Sequence, residues 1–340
     1  MVQSVNDVLL RPMIFVSLGR AVPENDELWR NSRFIREVVR YQGAAPSGRR
    51  AGSRALGLGL DSALVALKVV AGRYRGPFLA VNPWVAVALR LVGKRDIRVT
   101  GVYAQKGSRS FNALRWLLGK SHVVTTVKVE AEAWNSAGGN ALEVLYGNTF
   151  RYPKFKLSES DRVRVFVGGS SDRDPQAIAQ LEDEVRSSSL ALSLVIVSDE
   201  KPAVWTNGHA SIERTGRVSA SKFGELVADS DVVYLPLTNS GRAAGHMVTV
   251  GALEAGVSVV TSASVGMDGY IDGEFVRPFF ERQPALPQLQ RGADVTRQRS
   301  AEIVELWERK FSLSAYIERV GNALGELENR SGFGAGSGSL

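Results

Sequence analysis

The sequence predicts an α/β protein made of two parallel-sheet units. Short β-branched runs ending in glycine or polar residues alternate with amphipathic stretches of helical period, the pattern of parallel strands joined by covering helices. The alternation stops at the polar, glycine- and proline-bearing segment "YGNTFRYPKFKLSESD" (146–161) and then starts again. A chain of 340 residues, 44% of them hydrophobic, has the length and apolar content for two cores.

In the first half, "PMIFVSL" (12–18) reads as a buried strand closed by Gly19. Residues 27–41 follow as a helix with Leu28, Phe34, Ile35, Val38 and Val39 on one side, and the glycine- and arginine-rich stretch 43–60 as a loop. A basic amphipathic helix begins at Asp61, a suitable N-cap. Strands at 77–82, 96–104 and 121–127 alternate with helices at 83–94 and 110–120. After the break, strands at 162–170, 190–200, 231–238 and 257–264 alternate with helices at 174–188, 219–230 and 249–256. The long helical stretch 300–328 closes the chain, and "NRSGFGAGSGSL" reads as a flexible tail. The resulting division is an N-terminal domain 1–152, a C-terminal domain 153–310, a closing helix 311–328 and a tail 329–340.

Composition narrows the chemistry. No window has the roughly 18 uncharged apolar residues that span a bilayer, and the N-terminus lacks the order of a signal peptide, so a cytoplasmic protein is expected. With no cysteine there is neither disulfide nor thiolate chemistry. His122, His209 and His246 form no i, i+4 pair, so no metal site is expected. A net charge of +7 favours an anionic partner: a nucleotide, a nucleic acid or an acidic membrane face. Arg36, Arg40, Arg49, Arg50, Arg54, Lys68, Arg73 and Arg75 crowd the first quarter, as a docking surface or as a solvated basic face.

Ligands of open parallel sheets bind beyond the carboxyl ends of the strands, where glycine admits a phosphate and helix N-termini supply N–H groups. Two places in the second half fit. In "VFVGGSSDRD", Gly168, Gly169 and Ser170 lie between a strand and a helix, with Arg173 beside them. In "SGRAAGHMVTVGALEAG" a helix starts near Ala244 to His246, just after the strand "VVYLPL". A diphosphate between these ends would meet N–H donors, a hydroxyl and one or two cations. Each feature has a plain alternative: a tight turn for the glycines, a cap for His246, a helix-surface carboxylate for Glu254, a solvated side chain for Arg242.

The stretch "VVYLPLTNSGRAAGHMVTVGALEAGVSVVTSASVGMDGYIDG", with "VRVFVGGSSDRDPQAIAQL" and "GRVSASKFGELVADSDVVYLPL", resembles the C-terminal half of GT-B glycosyltransferases, in particular the retaining family 4 group (glycosyl transferases group 1). "HVVTTVKVEAEAW" and "LYGNTF" extend the resemblance more loosely into the first half. It implies a GT-B fold, two Rossmann-like domains with parallel sheets facing a central cleft. The activity it implies is sugar transfer from a nucleoside-diphosphate sugar, of UDP or GDP type, with retention and without a metal or other cofactor. Gly168, Gly169, Ser170, Arg217, Val218, Ser240, Ala244, Gly245, Thr249 and Glu254 would hold the donor, and His246 and Arg173 would act on the departing diphosphate. Gly19, Arg20, Tyr103 and Lys106 would lie on the acceptor side. The pair of glutamates usual in the family, eight positions apart, would fall near Ala243 and Gly251, and neither is acidic.

Three acceptor classes fit the basic first domain: a glycan, a lipid-linked saccharide reached by peripheral contact with the inner membrane face, or DNA carrying a hydroxylated base. The apolar residues of 56–70 suit a lipid, and they equally suit the core of an α/β domain. A non-catalytic relative that keeps the fold is the reading favoured by the missing acidic pair. A nicotinamide enzyme is disfavoured, because "SLGRAVPEND" lacks the G-x-G-x-x-G turn.

Overall fold

A computed structural model describes residues 11–19, 22–42, 51–102, 106–148, 150–157, 161–169, 171–238, 242–280 and 283–333, with side chains at 51–56 and 331–333 excepted. The chain divides into two compact units, residues 1–144 with 316–340, and residues 145–315. The sequence suggested a boundary at 152/153 and a separate closing helix; by contacts the division falls at Val144/Leu145 and the C-terminal residues join the first unit.

The first unit runs β1 (Met13–Leu18), α1 (Pro23–Asn31), β2 (Ile35–Tyr41), α2 (Ala51–Ala71), β3 (Phe78–Ala80), α3 (Pro83–Leu91), β4 (Ile97–Thr100), α4 (Arg109–Leu118), β5 (His122–Thr125), α5 (Lys128–Ser136) and β6 (Asn140–Glu143). The strands form one parallel sheet in the order β2-β1-β3-β4-β5-β6. Asn82 and Ser108 cap α3 and α4 by accepting from the N–H groups of Trp84 and Phe111. The core is the usual product of β-branched strands under helix faces: Ile14, Val16, Val65, Val69, Val85, Leu89 and Val99 are all fully buried.

Two local readings are corrected here. Residues 27–41 are not one helix: α1 ends at Asn31, Ser32 turns the chain, and 35–41 forms β2 against β1. The apolar spacing of Ile35, Val38 and Val39 fits either period, and pairing with a buried neighbour strand decides it. Residues 51–60 are not loop: α2 starts at Ala51, so Asp61 lies inside the helix instead of capping it. Gly57 and Gly59 each cost helix propensity, but Val65, Ala66 and Val69 anchor the same helix in the core. The loop reading for 43–50 falls outside the described residues.

The second unit runs β7 (Val163–Gly168), α6 (Pro175–Ser187), β8 (Leu192–Val197), β9 (Ala203–Thr206), β10 (Ala210–Arg214), α7 (Ala220–Ala228), β11 (Val232–Leu235), α8 (His246–Ala255), β12 (Ser258–Ser262), β13 (Val276–Phe279) and α9 (Ala285–Lys310). Its sheet order is β13-β12-β11-β7-β8-β10-β9, parallel except for the β9–β10 hairpin. That hairpin and β13 were not read from the sequence, nor were β6 and α5. The predicted helix 300–328 is two: α9 ends at Lys310, and α10 (Leu313–Phe333) runs five residues into the expected tail. Residues 334–340 are outside the described part.

Asp231, fully buried at the start of β11, ties this unit together. Its carboxylate accepts from the Arg164 backbone N–H (2.8 Å), the Arg164 guanidinium (2.8 Å) and Arg297 of α9 (3.1 Å).

Candidate functional site

The carboxyl edge of the second sheet brings together the two places singled out in the sequence. After β7 the chain turns through Gly168 and Gly169, the latter at φ +94. Residues 172–174 then pair with the loop after β11: Thr238 N–H donates to Asp172 O (2.9 Å), Asp174 N–H to Pro236 O (3.0 Å), and Arg173 bridges Leu237. Asp172 adopts φ +54, tolerable for aspartate, and its carboxylate accepts from Arg242 at 2.8 and 2.9 Å. Arg242, for which the sequence also allowed a solvated side chain, is thus the clamp between the β7 loop and the segment that enters α8.

That entry is shaped by glycine. Gly245, the N-cap of α8, sits at φ +80, and a Cβ there would press on Leu237 at 3.0 Å and Met267 at 3.3 Å. Across from it, a Cβ on Gly266 would run into the Arg242 carbonyl. Ala244 is buried beside them. The chain thus enters α8 through the small residues Ala244 and Gly245, and the positive end of the helix dipole there favours an anion.

His246, the first residue of α8, is 5% exposed. Its ring lies edge-on to Tyr146 (5.3 Å between centroids) and tilted to Tyr270 (5.9 Å). Burial pushes its pKa down from 6.5 to about 4, so the imidazole is neutral at pH 7. Burial among tyrosines gives a His246→Ala substitution a packing cost. Thr249, one turn on, is fully buried, and its hydroxyl has no hydrogen-bond partner among the described residues.

Arg173 is half-buried and committed to its own turn, donating to Gly168 O and Ser171 O, both at 2.8 Å. A Cβ on Gly169 would strike its guanidinium, so glycine makes room for the arginine. Burial lowers its pKa to about 10, with Asp172 opposing, which leaves it cationic at neutral pH. It lines a cavity of about 250 Å³ with Gly169, Ser198, Asp199, Glu200 and Arg214, backed by Val167, Ile178 and Ile196. This is just below the roughly 300–1,000 Å³ of common small-molecule pockets.

Arg217 stands on the loop after β10 and forms a two-point ion pair with Asp199, one contact being 2.8 Å; Val218 beside it is half-buried. The pair holds the Asp199 carboxyl below its ordinary range, mainly through the Arg217 hydrogen bond. Ser170 and Ser240 are outside the described residues.

Glu254 is placed differently from the rest. It lies eight residues along α8 from His246, ~12 Å by helical rise. Its carboxylate holds the segment 148–152, accepting from Asn148, Arg151 and the Tyr152 N–H. Lys154 donates to its carbonyl at 2.8 Å, and Trp307 fixes Asn148 at 2.9 Å. The same segment closes position 251, where a Cβ would meet the rings of Tyr152 and Phe150. Of the two positions expected for an acidic pair, then, 251 has no space for any side chain in this arrangement.

Burial raises the Glu254 pKa, against the lowering effect of the Tyr152 N–H and Arg151. For an acid with a raised folded pKa, the folded state holds the extra proton, so stability falls as pH rises from the ordinary carboxylate range through the folded value. Glu254→Gln is expected to abolish this component. Urea unfolding of both proteins across pH 4 to 7 checks it, and identical slopes would contradict the assignment.

On the acceptor side, Gly19 follows β1 at φ +100 with open space around it, and Lys106 is exposed beyond β4, both at the carboxyl edge of the first sheet. Arg20 and Tyr103 are outside the described residues. Among the described residues no group of three His, Asp or Glu side chains is placed to hold a metal, and no helix is long and apolar enough to cross a membrane.

No family model matches the chain, and no curated protein matches it. Solved structures do. The sucrose-phosphate synthase of Thermosynechococcus elongatus is similar with a TM-score of 0.60 at 12% identity, over 94% of this chain and 100% of that one. Anabaena HepE in complex with UDP-glucose gives 0.57 at 12%, over 92% and 100%. The E. coli trehalose-6-phosphate protein bound with UDP-2-fluoro glucose gives 0.61 at 9%, over 92% and 99%. At such identities the likeness establishes the fold. The chain has the GT-B fold, two Rossmann-like domains with parallel-dominated sheets, shared with nucleotide-sugar glycosyltransferases.

Proposed function

We propose that the protein is a glycosyltransferase that takes a sugar from a nucleoside-diphosphate donor held by the second unit. The observation that carries this reading is the clamped edge itself: the Gly168–Gly169 turn, Arg173 and the α8 N-terminus are locked together through Asp172, Arg242 and the 236–238 loop. The UDP-sugars in the HepE and E. coli structures support a UDP-type donor, with GDP the alternative.

Transfer breaks the bond between the anomeric carbon and a diphosphate oxygen and joins that carbon to an acceptor hydroxyl, whose proton is released. Charge grows on the departing diphosphate, so donors fixed beforehand lower the barrier. The first-turn N–H groups of α8 and the Arg173 cation would supply them, and the neutral His246 would donate one N–H. Those groups would stabilise the diphosphate without a metal. The resemblance favours retention, and the acceptor would be a glycan or lipid-linked saccharide.

The closure of position 251 by Tyr152 and Phe150 favours a second reading, a GT-B binding protein without transfer. Incubation with UDP- and GDP-sugars and mixed glycan, lipid-linked and DNA acceptors separates the two. Release of nucleoside diphosphate above the rate of an Arg173→Gln variant supports transfer; donor binding without turnover on any acceptor supports the second reading.

A further inference from the structure

The first unit has a strongly polarised surface that donor chemistry does not use. Between residues 42 and 129 the chain carries fifteen lysines and arginines against two acidic residues, Asp61 and Asp96, and Asp96 is paired with Arg98. From β2 onward every connection steps the same way across the sheet, so right-handed crossovers put α2, α3 and α4 in one layer, α2 packed on α3 and α3 on α4.

The inner side of that layer is core. Its outer side is not polar: Leu60 is 62% exposed, Leu67 55%, Leu91 79% and Trp116 80%, with Val70 and Trp84 less so. The apolar residues that the sequence left undecided between lipid contact and core are thereby sorted, Val65 and Val69 inward and Leu60, Leu67 and Val70 outward. The last turns of the three helices carry Val70, Leu91 and Trp116 to the edge where the strands begin. In the loops at that edge stand Arg73, Arg75, Lys94, Arg95 and Lys120, exposed or half-exposed. Lys94 and Arg115 also donate to the carbonyls of Tyr74 and Gly119, which holds these loops in place.

We propose that the outer face of α2, α3 and α4 docks on an anionic lipid surface. Large apolar side chains ringed by cations match the two layers of a bilayer interface: Leu67, Val70, Leu91 and Trp116 enter beneath the headgroups, and the arginines and lysines meet the lipid phosphates. Charge decides against the other occupants. A second copy would set like charges against each other, and a nucleic-acid backbone offers leucine and valine nothing to pack on. The inference is independent of the donor reading, because it uses none of the residues of the second unit.

Co-sedimentation of the full chain with vesicles tests it. The protein is expected to pellet with vesicles of equal parts phosphatidylglycerol and phosphatidylcholine, and to stay in solution with phosphatidylcholine alone. A Leu91→Glu, Trp116→Glu double variant should lose about tenfold or more of that binding, with its melting temperature and nucleoside-diphosphate response unchanged because both sites are exposed. A Lys94→Gln, Arg95→Gln variant should bind more weakly at low salt, and added salt should release the wild type. Failure of the wild type to bind anionic vesicles at low salt overturns the proposal. So does undiminished binding by the double variant, preference for duplex DNA over vesicles, or a dimer in sedimentation velocity that the double variant abolishes.

Discussion

Lowering the pH from about 6.5 towards 4 is expected to remove on the order of 3 kcal/mol of stability through His246 alone, from the burial-driven drop in its pKa to about 4. Its folded pKa is depressed below the unfolded value, so between the two the unfolded chain binds the extra proton. The contribution is complete above the unfolded pKa and is lost as pH falls to the folded one. The ring lies between Tyr146 and Tyr270, and Tyr270 accepts the Tyr146 N–H at 2.7 Å and stacks on Phe311. An imidazolium there would give up its hydration to burial. The buried Glu254 acts in the opposite sense, so the effect is read as the difference between wild type and His246→Phe in urea unfolding at several pH values. The variant should be less pH-sensitive over this window. Equal pH dependence of the two proteins would show that His246 titrates in both states alike, and the burial account of the α8 entry would fail with it.

Asp231→Ala is expected to cost about 3–5 kcal/mol, because it strands two partly buried guanidiniums, Arg164 and Arg297. It also leaves the Arg164 N–H without its acceptor in β7. Burial works to raise the Asp231 pKa, yet the hydrogen bonds from Arg164 and Arg297 outweigh it and hold the group below the usual carboxylate range. Its contribution therefore survives mild acid and is lost only as pH falls through that lowered value. Asp183, exposed and paired with Arg186 on α6, is the control: Asp183→Ala should cost within about 0.5 kcal/mol. Equal losses in the two variants would remove Asp231 from its anchoring role.

Much of this architecture could be read from the chain because parallel strands announce themselves. "RVRVFVGG" and "DVVYLPL" are β-branched runs bounded by loops, and they became β7 and β11. β2 was lost to an ambiguity of period, and the opening residues 51–60 of α2 to the glycines they carry. The β9–β10 hairpin had a usable signal in Asn207–Gly208, with Gly208 at φ +85, a dipeptide that favours hairpin turns. The glycine at 245 was legible as a place where a helix starts against a ligand edge. The burial of His246 was not, since Tyr146 and Tyr270 lie far from it along the chain. Nor was the fate of Glu254, which depends on a segment that sequence alone marks only as linker. The Asp172–Arg242 clamp was similarly hidden, because an ion pair between two loops leaves no periodic trace.

The donor site is the central claim, and calorimetric titration with UDP and GDP, without added metal, tests it most directly. One of the two is predicted to bind, and Arg173→Gln is predicted to weaken it by about tenfold, the loss of one charge-assisted contact. At 100 times its dissociation constant the bound diphosphate should add about 2.7 kcal/mol to stability. Absence of binding by both diphosphates, or undiminished affinity in Arg173→Gln, would contradict the placement of a donor at the joined ends of β7 and α8.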